Sequence, residues 1–218
     1  MAIVKVDMHV HTSCSKDGLL SPEEIVVNCR QKGLGALAVT DHDTIAGALA
    51  VRDVAPFPII VGQEVSTPQG EVLGLFLERE VPRGLSPLEA IASIKEQGGL
   101  AGVPHPFDKF RREALGERVL MEIAGELDFV EAFNSRVTFP GDNRRAQEFA
   151  RSRGLPCTAG SDAHSRYELG RAYVEMAPFN GKEEFLESLP DGRIVGRLSP
   201  FWVHFFSMYA RVHKLVRE

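Results

Sequence analysis

The sequence predicts an α/β fold in which parallel strands and crossover helices close into one barrel. Two observations predict it. Short apolar runs alternate with punctuated helical stretches along the chain, and such alternation implies parallel strands joined by crossovers. Run after run also ends on histidine, carboxylate or amide, and in a closed barrel of this kind functional residues gather at the C-terminal strand ends.

Taken in order, Ile3 to Val6 reads as a buried strand rich in β-branched residues. It leads into Asp7-Met8-His9-Val10-His11-Thr12. Side chains two apart on a strand point the same way, so His9 and His11 can reach one ion; two surface histidines leaving a strand is the lesser reading. Ser21-Pro22-Glu23-Glu24 offers an N-cap, a proline at the first helical position and a capping-box Glu, with Gly33 as the stop. Ala36 to Val39 runs into Thr40-Asp41-His42-Asp43-Thr44, and Pro58 to Val61 into Gly62-Gln63-Glu64. Asp43 is positioned to cap the next helix, and Asp41 to orient a ligand from behind. Ser86-Pro87-Leu88-Glu89 repeats the helix start, and Gly98-Gly99 ends that helix. Leu100 to Val103 runs into Pro104-His105-Pro106, and Phe129 to Phe133 into Asn134. A third helix spans Asp142 to Arg153 with Gly154 behind it, and Leu155 to Ala159 leads into Ser161-Asp162-Ala163-His164.

The clusters matter together. Five of the seven histidines lie in or beside them. Histidine with carboxylate is the donor set that holds divalent metals with open coordination positions, so the chain reads as a metalloenzyme.

Composition bounds the alternatives. At 218 residues with 44% hydrophobic content, the chain fits one domain with a substantial core. The barrel is expected over residues 1–199. The tail from Pro200 carries Phe201, Trp202, Phe205, Phe206 and Tyr209, then Arg211, Lys214 and Arg217. It reads as an amphipathic helix over 200–218, packing on the barrel or on a second copy; an interfacial membrane helix is the weaker reading. No apolar run is long enough for a membrane span, and no leader is visible. The net charge of −5 argues against coating duplex nucleic acid. Cys14, Cys29 and Cys157 are odd in number and widely spaced, which suits a reducing cytoplasm. Cys14 reads as a loop or core thiol before a metal ligand. Walker-type phosphate loops and the Gly-x-Ser-x-Gly elbow are absent.

With these residues in view, the chain resembles the polymerase and histidinol phosphatase (PHP) family of metal-dependent phosphoesterases. The match runs from about Val6 to His164. It rests on the opening Asp-x-His-x-His-Thr, Ser15-Lys16-Asp17-Gly18, Thr-Asp-His-Asp-Thr, Gly-x-Glu, His-Pro, Glu131-x-Phe-Asn and Ser-Asp-Ala-His. The resemblance implies a distorted seven-stranded, TIM-like (β/α)7 barrel with two or three metals (manganese, iron or zinc) at its mouth. One would take His9, His11, Glu64 and Asp162, a second Asp17, His42 and His164, and a third Glu64 as a bridge with His105. Two departures stand out. Glu71-Val72-Leu73-Gly74 places Glu71 where the family often has a histidine, so Glu71 is either a further ligand or an exposed strand residue. The stretch from Pro106 to Val130 is too short for the large lid subdomain of some relatives.

The implied chemistry is hydrolysis of a phosphomonoester or phosphodiester in a small metabolite or nucleotide. Two ions sharing a water would lower its pKa, so that a metal-bridged hydroxide attacks with no protein nucleophile. Arg136, with Asn134 at the strand end, is the first choice for phosphate, since guanidinium matches phosphate geometry; a solvated loop arginine is the other reading. Lys109, Arg111 and Arg112 form a basic loop of weaker candidates. Two alternatives are a binuclear hydrolase of amides or lactones and a non-catalytic metal-binding module.

Overall fold

The computed structural model describes residues 2–111 and 114–216. Arg112 and Arg217, named above, lie outside the described residues. Among the described residues, nine strands form one nearly closed, barrel-like sheet. They are β1 (Val4–Asp7), β2 (Ala36–Val39), β3 (Ile59–Thr67), β4 (Gly70–Leu75), β5 (Leu100–Val103), β6 (Phe129–Asn134), β7 (Cys157–Gly160), β8 (Ala172–Met176) and β9 (Arg193–Gly196). Seven α-helices of the described residues accompany them: α1 (Pro22–Lys32), α2 (Ala46–Val54), α3 (Pro87–Glu96), α4 (Glu117–Ile123), α5 (Pro140–Arg153), α6 (Lys182–Ser188) and α7 (His204–Leu215).

The sequence punctuation is realised closely in α1 and α3. Ser21 and Ser86 each close a capping box with the Glu three residues on, and Gly33 ends α1 at φ +68°. The left-handed region suits a residue without Cβ. The third expected helix starts earlier, because Pro140 occupies its first turn, and it ends on Gly154 at φ +64°.

The expected distorted (β/α)7 barrel is met in its α/β, barrel-like character but not in its strand count, which is nine among the described residues. β1, β2 and β3 run parallel, as do β5, β6 and β7, but β4 is antiparallel to both of its neighbours. β3 and β4 are a hairpin with no helix between them. Its turn is closed by Thr67, whose Oγ1 donates to the Gly70 carbonyl over 2.6 Å. β8 and β9 add an antiparallel ribbon, with β8 on Val4 to Val6 of β1. The chain just past β1 meets β7 and the residues after it instead. Met8 N donates to Ala159 O (3.2 Å), Asp162 N to His9 O (2.8 Å) and His11 N to Ala163 O (2.9 Å). That seam brings the β1 and β7 ends, and their site residues, side by side.

The strand period of two sorts the core. Ala36 and Ala38 face the interior cluster with Val6, Met8, Leu73, Leu75 and Phe129. Leu37 and Val39 face the helices, with Ile25, Val51 and Ile91. Phe185 and Leu189 are buried in the interior cluster from below. The other end carries the polar clusters. No helix among the described residues is long and apolar enough to cross a membrane.

Candidate metal centre

Five imidazoles and four carboxylates meet at that end of the sheet. His9 and His11 leave β1 with Nε2 atoms 3.1 Å apart, as two side chains on one strand face should. Glu64, in β3, reaches both: its Oε2 is 3.4 Å from His9 Nε2 and 3.3 Å from His11 Nε2. Asp162 Oδ1 is 3.4 Å from His11 Nε2 and 3.8 Å from His9 Nε2. Beyond His11, Asp17 Oδ1 lies 3.3 Å from His164 Nε2, and its Oδ2 lies 3.6 Å from His42 Nε2. His42 turns its other nitrogen to the opposite side, with Nδ1 3.2 Å from both Glu64 Oε2 and Glu71 Oε1. His105 Nε2 is 3.0 Å from Glu64 Oε1 and 3.8 Å from Glu71 Oε2.

Three sets of ligand atoms are each compact to within 4.8 Å: His11, Asp17, His42 and His164; His9, His11 and Glu64; and His42, Glu64 and Glu71. The last set differs from the expected pairing of Glu64 with His105, because His42 lies between two groups and Glu71 joins it. Glu71 is only 3% exposed, so the exposed-strand reading fails. β4 turns this side chain inward beside Glu64.

The donor set fits divalent cations. Glu64 Oε2, Glu71 Oε1 and Asp162 Oδ1 are buried without a hydrogen-bond partner. Leaving buried carboxylate oxygens so is costly, and a shared cation removes the cost. Mixed imidazole and carboxylate donors suit zinc, manganese and iron. The local field is strong. Burial would lower His9 and His42, but the carboxylates around them push both well above the ordinary histidine range. Burial, with His164 beside it, brings His11 down to about 3. Burial would raise Asp17, yet His164 and His42 hold it far below the usual carboxylate range. Asp162 is held low against burial by Arg111 and His9.

Surrounding contacts aim the rings. His9 Nδ1 meets Glu131 Oε1 at 3.0 Å, His164 Nδ1 meets the Asp162 carbonyl at 2.9 Å, and His11 Nδ1 meets Ser15 Oγ at 3.3 Å. The carboxylate contact assigns His9 its proton at Nδ1 and leaves its Nε2 toward the centre, and the other two contacts fix the orientation of their rings. Glu131 Oε2 also accepts from His105 N (2.7 Å) and Asn134 Nδ2 (3.0 Å). Asp41 grips Thr12, accepting from its N (2.6 Å) and Oγ1 (2.7 Å), which fixes the chain just after His11. Asp43 does not cap α2; its Oδ1 accepts from Ser66 N at 2.8 Å, tying the His42 loop to β3. His105 and Asp162 carry φ of +29° and +52°. Such backbone costs about 1–3 kcal/mol for a non-glycine residue and persists where surroundings over-determine it.

The phosphate candidates fare differently. Asn134 is fully buried. Its Nδ2 donates to Glu131 and, over 3.1 Å, to Asp162 Oδ2, and its Oδ1 accepts from Arg136 N. Its amide is committed to holding the centre together. Arg136 is 5% exposed, so the solvated-loop reading fails. Its guanidinium lies against His164, pairs with Glu168 Oε1 at 3.3 Å, and donates to Ser207 Oγ at 2.9 Å. Lys109 is exposed, whereas Arg111 pairs directly with Asp162. A cavity of about 530 Å³ opens over Asp17, His42, Glu71 and His164 and is walled by Arg111, Arg136 and Arg211. Glu131, Glu168, His204, Ser207 and Arg211 were not among the residues singled out for the site. Glu131 stood in plain view within the Glu-x-Phe-Asn motif; the rest sit in stretches whose sequence carries no comparable signal.

Comparison with known proteins agrees with this geometry. A family model described as the PHP domain matches residues 7–149, and one described as PHP-associated matches residues 140–194. An uncharacterized protein of Methanocaldococcus jannaschii is 36% identical over 180 residues, spanning 81% of this chain and 72% of that protein. A 5'-3' exoribonuclease of Haemophilus influenzae is 33% identical over 129 residues, or 52% of this chain and 46% of the enzyme. Among solved structures, a two-domain Bacteroides vulgatus protein, described as containing a predicted PHP-like metal-dependent phosphoesterase, superposes with a TM-score of 0.72 at 18% identity, covering 96% of this chain and 70% of that one.

Proposed function

This chain belongs to the PHP-domain family, and from that premise we propose that it hydrolyses phosphate esters with divalent metal ions held by His9, His11, Asp17, His42, Glu64, Glu71, His105, Asp162 and His164. The observation that carries the reading is the set of donorless carboxylate oxygens facing imidazole nitrogens beneath an arginine-walled cavity. The exoribonuclease likeness supports a phosphodiester or phosphomonoester in a small nucleotide or metabolite as the substrate class.

Bound divalent ions would supply an acidified water as nucleophile and neutralise charge developing on the phosphoryl group. The protein's own part is geometric. Glu131, the Asp162 carbonyl and Ser15 hold the rings of His9, His164 and His11 with Nε2 facing inward. Burial keeps bulk water off the carboxylates, which strengthens each charge interaction there. Arg136 places positive charge beside His164 at the cavity wall, which favours an anionic group seated above it. Asn134 steadies Asp162 and Glu131 and serves phosphate only through them.

The test is a panel of phosphorylated metabolites and short nucleotides, with p-nitrophenyl phosphate as the generic ester, assayed on metal-loaded protein with inorganic phosphate as a competitor. Turnover inhibited by phosphate is the expected result. Hydrolysis of amides or lactones with no phosphate ester turned over would replace this reading with that of another binuclear hydrolase.

A further inference from the structure

The segment beyond residue 199 lies outside both matched family regions, yet it touches the centre. α7 docks by its polar row. His204, Ser207, Arg211 and Lys214 recur at spacings of three and four, which places them on one helix face. Each of them reaches the barrel mouth. Arg136 NH2 meets His204 Nδ1 at 3.2 Å and donates to Ser207 Oγ at 2.9 Å. Lys214 Nζ donates to the carbonyls of Ser13 (2.7 Å), Gly18 (2.9 Å) and Ser15. Arg211 reaches Asp17 Oδ2 from Nε at 3.1 Å and from NH2 at 2.6 Å. Phe205, Tyr209 and Val212 are exposed, and Met208, also exposed, borders the cavity. A helix docked only for stability would bury that apolar row; this one presents its cations to a polar cavity.

Charge distinguishes Arg211 from its neighbours. Arg136 is 4% exposed at the side chain and shared among Glu168, His204 and Ser207, so it anchors α7. Arg211 is 49% exposed at the side chain and lines the open cavity. The cavity's carboxylates include Asp17 and Glu71, both assigned above to cations. Asp108 also lines the cavity, but it faces Arg111, which pairs with Asp162 as well, and Arg136 pairs with Glu168. Arg211 has Asp17 as its one carboxylate partner among the described residues, so with Asp17 engaged its charge is left to what enters, and a phosphate dianion matches it.

We propose that α7 is a wall of the substrate site and that Arg211 binds the phosphoryl oxygens of a phosphate seated beside Asp17. The proposal rests on the phosphoesterase reading and adds a residue outside the matched family regions to it. Phosphate binding is measured by calorimetry on metal-loaded wild type, Arg211→Met and Arg211→Lys, with metal content and circular dichroism from the same preparations. The Met variant should keep its metal and bind phosphate roughly tenfold or more weakly, the scale of a lost charged hydrogen bond. The Lys variant keeps the charge on Asp17, and with it the docking of α7, should the Met variant undock. It should recover only part of the affinity, because an ammonium lacks the two-pronged contact. Unchanged phosphate binding in both variants overturns the proposal. Loss of metal together with phosphate binding also overturns it, since Arg211 would then act through Asp17. A wild type that neither binds phosphate nor turns over any phosphate ester defeats the phosphoesterase reading itself, and this proposal with it.

Discussion

His42 holds the position on which the centre turns. Its Nε2 faces Asp17 and its Nδ1 faces Glu64 and Glu71, so one ring serves two groups of ligand atoms. It is also at the cavity floor and outside the apolar clusters. His42→Ala should therefore keep the circular dichroism of the wild type while turnover falls at least ~100-fold, the scale on which a disturbed ligand shell acts. Near-normal turnover would remove His42 from the reaction. At this scale the sequence was most legible. Each of the nine side chains singled out as ligands reaches the cluster, because strand-end position and residue type were enough to place it. Glu71 was undecided because its facing depends on an antiparallel strand that periodicity alone did not reveal. The contacts of Asn134 were not legible either: at a strand end an amide can face a substrate or its own neighbours, and in the structure it meets Glu131 and Asp162.

Two close approaches show how elements carry the site. A Cβ on Gly160, the last residue of β7, would sit 2.3 Å from His9 Cβ and 2.7 Å from Glu131 Oε1. The β1–β7 seam and the His9–Glu131 contact therefore need a glycine there. Gly160→Ala should cost about 1–3 kcal/mol, as overpacking of a tight interior does, and should lower metal content too. Full stability with full metal content would show that the seam is looser than described. α7 makes a pH-dependent contribution. Burial first, then Arg136 and Arg111, bring His204 down from 6.5 to about 4. The unfolded chain takes up this proton first on acidification, so the contribution is complete above pH 6.5 and is lost as pH falls toward 4. Wild type should lose thermal stability relative to His204→Gln across that interval; parallel melting curves would contradict the assignment. The helix itself was legible from its aromatic and basic residues. Its docking was not, because amphipathicity gives the two faces but does not say that the polar one meets the barrel.

On the scale of the whole molecule, the alternation of strand and helix was readable and the closure of the sheet was not. β3 and β4 form a hairpin rather than a parallel pair joined by a crossover, and β8 with β9 extends the sheet along Val4 to Val6 of β1. β8 and β9 hold no site residues and were not marked in the sequence, and the Glu71 stretch gave no sign of its strand direction. The fold nevertheless does what the motifs required: it brings residues 9 through 164 to one mouth and lays the C-terminal helix across it. If this mouth is a metal centre that works on phosphate esters, metal and activity must go together. Elemental analysis of protein purified without chelators, paired with p-nitrophenyl phosphate hydrolysis by the same sample, measures both. About two or three divalent ions per chain are expected, as multi-metal hydrolysis requires, with activity lost on chelation and restored when metal is returned. Fewer than one ion per chain in folded protein that retains full phosphatase activity would contradict this.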